Sequence, residues 1–98
     1  MRDIREIIKA TNMRDSDDIA RAKEEIKEII IAKAGYLRDL AKMCEVDAKV
    51  LISALLQNDF ATAGRLCDIV VREANNLITK GMDLRRDIEE AEHFWEAF

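Results

Sequence analysis

Residues 63–98 read AGRLCDIVVREANNLITKGMDLRRDIEEAEHFWEAF. Apolar or small residues at Ala63, Cys67, Val70, Ala74, Leu77 and Gly81 continue as Leu84, Ile88, Ala91, Trp95 and Phe98, with spacings that alternate four and three. That alternation keeps one stripe of a helix turned towards a partner helix, and it does not slip along the whole stretch. The one challenge to continuity is Lys80-Gly81-Met82-Asp83, which could be a C-cap glycine followed by a fresh N-cap. A break would reset the phase, and the phase runs through Gly81. The sequence therefore predicts a single coiled-coil-like helix over 60–98, with a weak point at Gly81 costing about 1 kcal/mol.

Working back towards the N-terminus, Asn58-Asp59 reads as the end of one helix and the cap of the last. Residues 48–57 are apolar nearly all round, which predicts a short helix buried in a core or an interface. Glu45-Val46-Asp47 reads as a turn, with Asp47 capping that short helix. Before it, a helix is predicted over 17–44, entered through the capping cluster Asp15-Ser16-Asp17-Asp18. Its stripe is Ile19, Ala22, Ile26, Ile29 or Ile30, Leu37, Leu40, Ala41 and Cys44. Lys33 interrupts it, and Ile29-Ile30-Ile31 widens it enough to touch two neighbours. Ile4, Ile7 and Ile8 define a first amphipathic helix over 3–10. The expectation is one all-α domain over 1–98: an antiparallel helical bundle or hairpin with a long C-terminal helix. A last helix of that length outruns one of 17–44, so its final turns are expected to project. Either the first helix covers them or another molecule does, and a symmetric homodimer or higher oligomer is expected.

Composition narrows the functional classes. The chain has three glycines, no proline and 37% charged residues, a balance that suits long helices. Residues 1–45 carry ten basic and ten acidic side chains and residues 46–98 carry six and ten, so the second half holds the whole net charge of −4. An acidic half gives no electrostatic reason to bind nucleic acid or an anionic membrane. No apolar run approaches the roughly 20 residues of a membrane span. Met1-Arg2-Asp3-Ile4-Arg5 lacks the apolar core of a signal peptide, and a cytoplasmic protein is expected. Cys44 and Cys67 lie among apolar positions and read as small hydrophobes rather than a disulfide.

Four local patterns resemble known elements. Leu37 to Leu55 resembles the helix-turn-helix of bacterial repressors: Ala41 falls where the helices would cross, and Leu51 and Ala54 would face inward. That resemblance implies base contacts from Lys49, Ser53, Gln57 and Asn58. Glu24-Glu25-Ile26-Lys27-Glu28 resembles the first metal motif of the all-helical nucleotide pyrophosphohydrolases, but no Glu-x-x-Asp follows to complete a magnesium site. Glu90-x-x-His93 is similar to the Glu-x-x-His element of ferritin-like di-iron proteins, and two copies with Glu25 or Glu28 would assemble such a site. Residues 56–63 resemble the turn of tetratricopeptide-like hairpins, without a second copy at the repeat period. His93 is the sole histidine, which leaves no nucleophile–histidine pairing to argue from.

The reading is a non-enzymatic helical interaction or oligomerisation module: a small regulator, adaptor, inhibitor or designed bundle. Its partners are itself and another protein, with no cofactor and no metal. The expected interaction surface is Leu84, Ile88, Ala91, Phe94, Trp95 and Phe98, flanked by Asp83, Asp87, Glu89, Glu90 and Glu92. The alternatives are a helix-turn-helix DNA-binding regulator and a ferritin-like di-iron protein.

Overall fold

The computed structural model describes residues 3–98; Met1 and Arg2, part of the N-terminal reading above, lie outside them. Among the described residues, three helices follow one another: α1 (Ile4–Ala10), α2 (Ser16–Leu56) and α3 (Phe60–Ala97). The described residues contain no strand.

The main correction concerns α2. The expected turn at Glu45-Val46-Asp47 does not exist, and the separate helices over 17–44 and 48–57 are one helix of 41 residues. No glycine or proline interrupts this stretch, so nothing forces the chain out of helix. Glu45 pairs with Lys49 one turn later at 3.2 Å. Asp47, read as a cap, lies on the face turned to α3, opposite Glu73. The expected continuity of the last helix through Gly81 is what the structure has, with 38 residues in α3.

The helix ends are built from side-chain chemistry. Asp15 opens α2 by accepting the Asp17 amide at 3.0 Å. The Asn12 amide donates to the Asp18 carboxylate at 2.6 Å, tying the α1–α2 loop to the first turn of α2. Between α2 and α3 only three residues intervene. Asn58 takes a left-handed φ of 58°, a conformation asparagine tolerates better than most residues. The Asp59 amide donates to Ala54 carbonyl at 2.9 Å and the Asn58 amide to Leu55 carbonyl at 3.1 Å, the two bonds of a Schellman stop. Asp59 then serves as the N-cap of α3, its carboxylate accepting the Thr62 amide at 3.2 Å.

Contacts divide the chain into two compact units: the segments up to Ala34 and from Met82 onward form one, and Gly35–Gly81 forms the other. In the first, Ile4 and Ile7 of α1 pack with Ala22, Ile26 and Ile29 of α2 and with Ala91 and Phe94 of α3. A seven-residue helix is marginal alone, so burial of Ile4 and Ile7 is what holds α1. The second unit is a two-helix hairpin, and its buried hydrophobics are two alanines, Ala54 and Ala63.

The expected projection of the last turns of α3 is also corrected in its premise. With α2 extending over 41 residues, it is no shorter than α3, and α1 folds over the end of α3 through Phe94.

Candidate interaction surface

The six residues expected to form a surface on α3 divide into two groups. Leu84, Ala91 and Phe94 are buried, whereas Ile88, Trp95 and Phe98 remain 45%, 40% and 48% exposed. The helical register explains the division. Lys33 forms an ion pair with Asp87 in the first unit, and Asp47 opposes Glu73 in the second. The α3 positions turned to α2 are therefore Leu66, Glu73, Asp87 and Phe94, alternating with Ala63, Val70, Leu77, Leu84 and Ala91. The row Cys67, Ile88, Trp95 lies one residue further round. Charged residues at Glu73 and Asp87 hid the true inner row from a hydrophobicity count, and the ion pair with Asp87 is also why Lys33 sits in the α2 stripe.

In the first unit, Ile88 and Trp95 border an open apolar groove of ≈ 390 Å³ with Ile30, Ile31, Lys27 and Glu92. Lys23 lies 5.5 Å from the Trp95 ring centroid, a cation–π contact. Phe94 supports the tip from inside, edge-on to Trp95 at 6.0 Å and tilted against Phe98 at 5.3 Å. The expected acidic flank has largely structural work. Glu90 is bound by Arg5 at 2.6 Å, and Asp87 by Lys33. Asp83 and Glu89 pair with Arg86 and Arg85 along α3.

The second unit carries more uncovered apolar surface, and most of it lies outside the expected site. In an antiparallel pair, the residue following each inward position falls on one side of the hairpin, and the residue preceding it falls on the other. One side holds Ala41, Ala48 and Leu55 of α2 with Cys67, Ala74 and Gly81 of α3, bordered by Ile52, Val71 and Ile78. The other holds Tyr36, Met43, Val46, Val50 and Ile69. Ile52, Val71 and Ile78 are 56%, 53% and 59% exposed, and Phe60 beside the turn is 68% exposed. The sequence signal for them lies in Ile69-Val70-Val71, a run too wide for a single stripe.

The inner face of this hairpin holds one unusual contact. The carboxyl of Glu73 faces that of Asp47, and its Oε2 is shut off from solvent with no donor beside it. Two carboxylates have no hydrogen to share, so the bond between them exists only when one is protonated. That bond, reinforced by burial and by the charge of Asp47, raises the Glu73 pKa above its ordinary value.

The residues of the other readings are not assembled. Lys49, Ser53, Gln57 and Asn58 follow an unbroken helix, and the bend a helix-turn-helix needs is absent. Glu90 is engaged by Arg5 and His93 is exposed. Among the described residues, no three His, Cys, Asp or Glu side chains gather in a metal-binding group. Nor is any of their helices long and apolar enough to cross a membrane. Comparison with protein-family models, curated proteins and solved structures returns no match.

Proposed function

We propose that this protein is a non-enzymatic helical interaction module, acting by packing exposed apolar helix surfaces against another polypeptide. The observation that carries this reading is the hairpin Gly35–Gly81. Its buried hydrophobics are Ala54 and Ala63, while large apolar residues on both of its sides stand about half or more exposed. Soluble chains do not usually leave contiguous apolar rows of this size open to water. On the C-terminal helix, Ile88 and Trp95 form the docking edge, and Leu84, Ala91 and Phe94 support it from within.

The helix-turn-helix reading lacks the corner it depends on, and the di-iron reading requires Glu90 to leave its ion pair with Arg5. Binding of an environment-sensitive apolar dye, alongside light scattering at micromolar concentration, tests the proposal. The expected outcome is either an oligomer or a monomer that binds dye strongly while fully helical. A fully helical monomer that binds no dye would mean that these rows are covered within the chain, and the reading would fail.

A further inference from the structure

We infer that the small-residue side of the hairpin Gly35–Gly81 is the docking site for a second copy of this chain, each helix crossing its own counterpart in antiparallel fashion. The inference rests on the interaction-module reading and names its partner.

Three observations select this side and this occupant. The first is shape. Ala41, Ala48 and Leu55 recur every seven residues on α2, and Cys67, Ala74 and Gly81 do so on α3. Both rows are symmetric in length about their middle alanine. A two-fold axis at the level of Ala48 and Ala74 lays Leu55 of one copy over Ala41 of the other. It also lays Cys67 over Gly81 and sets Val71 beside Ile78. Side chains this small at the crossing let helix backbones approach at the short end of the usual 8–10 Å range. The result is a four-helix arrangement in which each hairpin supplies the layer the other lacks.

The second is charge. A chain with a net charge of −4 repels its own copy through most surfaces. On α2 this side carries only Arg38 and Glu45, which are of opposite sign, and on α3 it is bordered by Val71 and Ile78. Two copies can therefore meet here without opposing like charges.

The third is area. Ile52, Leu55, Phe60, Val71 and Ile78 are each about half or more exposed, which amounts to on the order of 500 Å² per copy. With the smaller side chains between them, this approaches the roughly 800 Å² per partner of a standard stable interface. The opposite side offers a comparable apolar surface in Tyr36, Met43, Val46, Val50 and Ile69, but it also carries Asp39 of α2 and Arg65, Arg72 and Asn76 of α3, so charge rather than area sets the two sides apart.

The experiment compares the full chain with three variants by light scattering and sedimentation, using circular dichroism to verify helicity. The parent is expected to be a dimer at about 10–50 μM, an affinity range accessible to an interface of this size. The variant Val71→Glu/Ile78→Glu places charge on exposed positions and should be a helical monomer, with dimer affinity reduced at least 100-fold. The variant Tyr36→Glu/Met43→Glu on the opposite side should remain a dimer. The variant Ala74→Cys in a Cys44→Ser/Cys67→Ser background, where it is the single thiol, should form an intermolecular disulfide on mild oxidation, because only close crossing brings the two Cα atoms within bonding range. A parent dimer that survives Val71→Glu/Ile78→Glu, or that dissociates only with Tyr36→Glu/Met43→Glu, overturns this site while leaving the interaction reading intact. So does a helical parent monomer that binds apolar dye. A helical parent monomer that binds no dye removes both.

Discussion

At the scale of single residues, adjacent side chains on α3 have opposite roles. Phe94 is 4% exposed and packs with Ile4, Ile7 and Ile26, whereas Trp95 is capped on one face by Lys23. Phe94→Ala should therefore cost about 3–5 kcal/mol of stability in urea denaturation. Trp95→Ala should cost less, on the order of 1–2 kcal/mol for a partly buried ring and its cation–π contact. The reverse order would mean that the row through Trp95 is the inner seam after all. The Glu73–Asp47 contact makes a second prediction, with a definite sign. The pKa of Glu73 is raised in the folded chain, so the stability it contributes is full below the ordinary glutamate range and lost as pH rises through the raised value. Glu73→Gln removes the ionisation and keeps a donor for Asp47. Its melting temperature should exceed the parent's at about pH 7 and converge on it near pH 4. Asp18 and Asp59 act in the opposite sense. The Asn12 amide lowers the pKa of the first, and the Thr62 hydroxyl and amide lower that of the second. Their contribution is present above the ordinary aspartate range and lost as pH falls. Asp59→Ala should accordingly lower the melting temperature at neutral pH and have a diminishing effect in acid.

At the scale of elements, the sequence was most legible where periodicity is long and polar punctuation sparse. α3 is continuous through Gly81 because an unbroken apolar phase outweighs one glycine. An ideal Cβ at Gly81 would come no closer than 4.0 Å to Leu37 Cδ1, so Gly81→Ala should raise stability by about 1 kcal/mol. The same logic failed in α2. Glu45-Val46-Asp47 offers capping residues and reads as a turn, because a half-buried acidic residue in a seam looks like a cap until its partner is seen. Amide exchange checks this directly: Val46, Asp47 and Ala48 should exchange as slowly as their helical neighbours, whereas a real turn would leave them fast. The α3 surface was half legible for a related reason. Ala91 and Leu84 lie on a row shared by both candidate registers, so their place did not depend on choosing between them. Ile88 and Trp95 belong only to the outer row, and deciding that required the Lys33–Asp87 pair, which joins residues far apart in sequence. The uncovered side of the hairpin was legible only as the over-wide run Ile69-Val70-Val71, since assigning its residues to a side depends on how α2 and α3 pair between Gly35 and Gly81.

At the scale of the whole molecule, net charge and apolar surface pull association in opposite directions, and salt separates them. Two chains of charge −4 repel at long range, and raising ionic strength shortens the Debye length from about 30 Å at 0.01 M to about 8 Å at 0.15 M. An interface made of alanine, glycine and aliphatic side chains loses little by this screening. Dimer affinity should therefore rise as salt is added, by a few-fold over that range. The melting temperature should also increase with protein concentration, as it must when association is linked to folding. A nucleic-acid-binding chain behaves in the opposite way, because phosphate contacts release counterions and affinity falls steeply with salt. Sedimentation equilibrium at two salt concentrations thus distinguishes apolar docking from any charge-led interaction. Affinity that fell with salt would point to pairing through Arg38, Glu45 or other charged side chains, rather than through the Ala48 and Ala74 crossing.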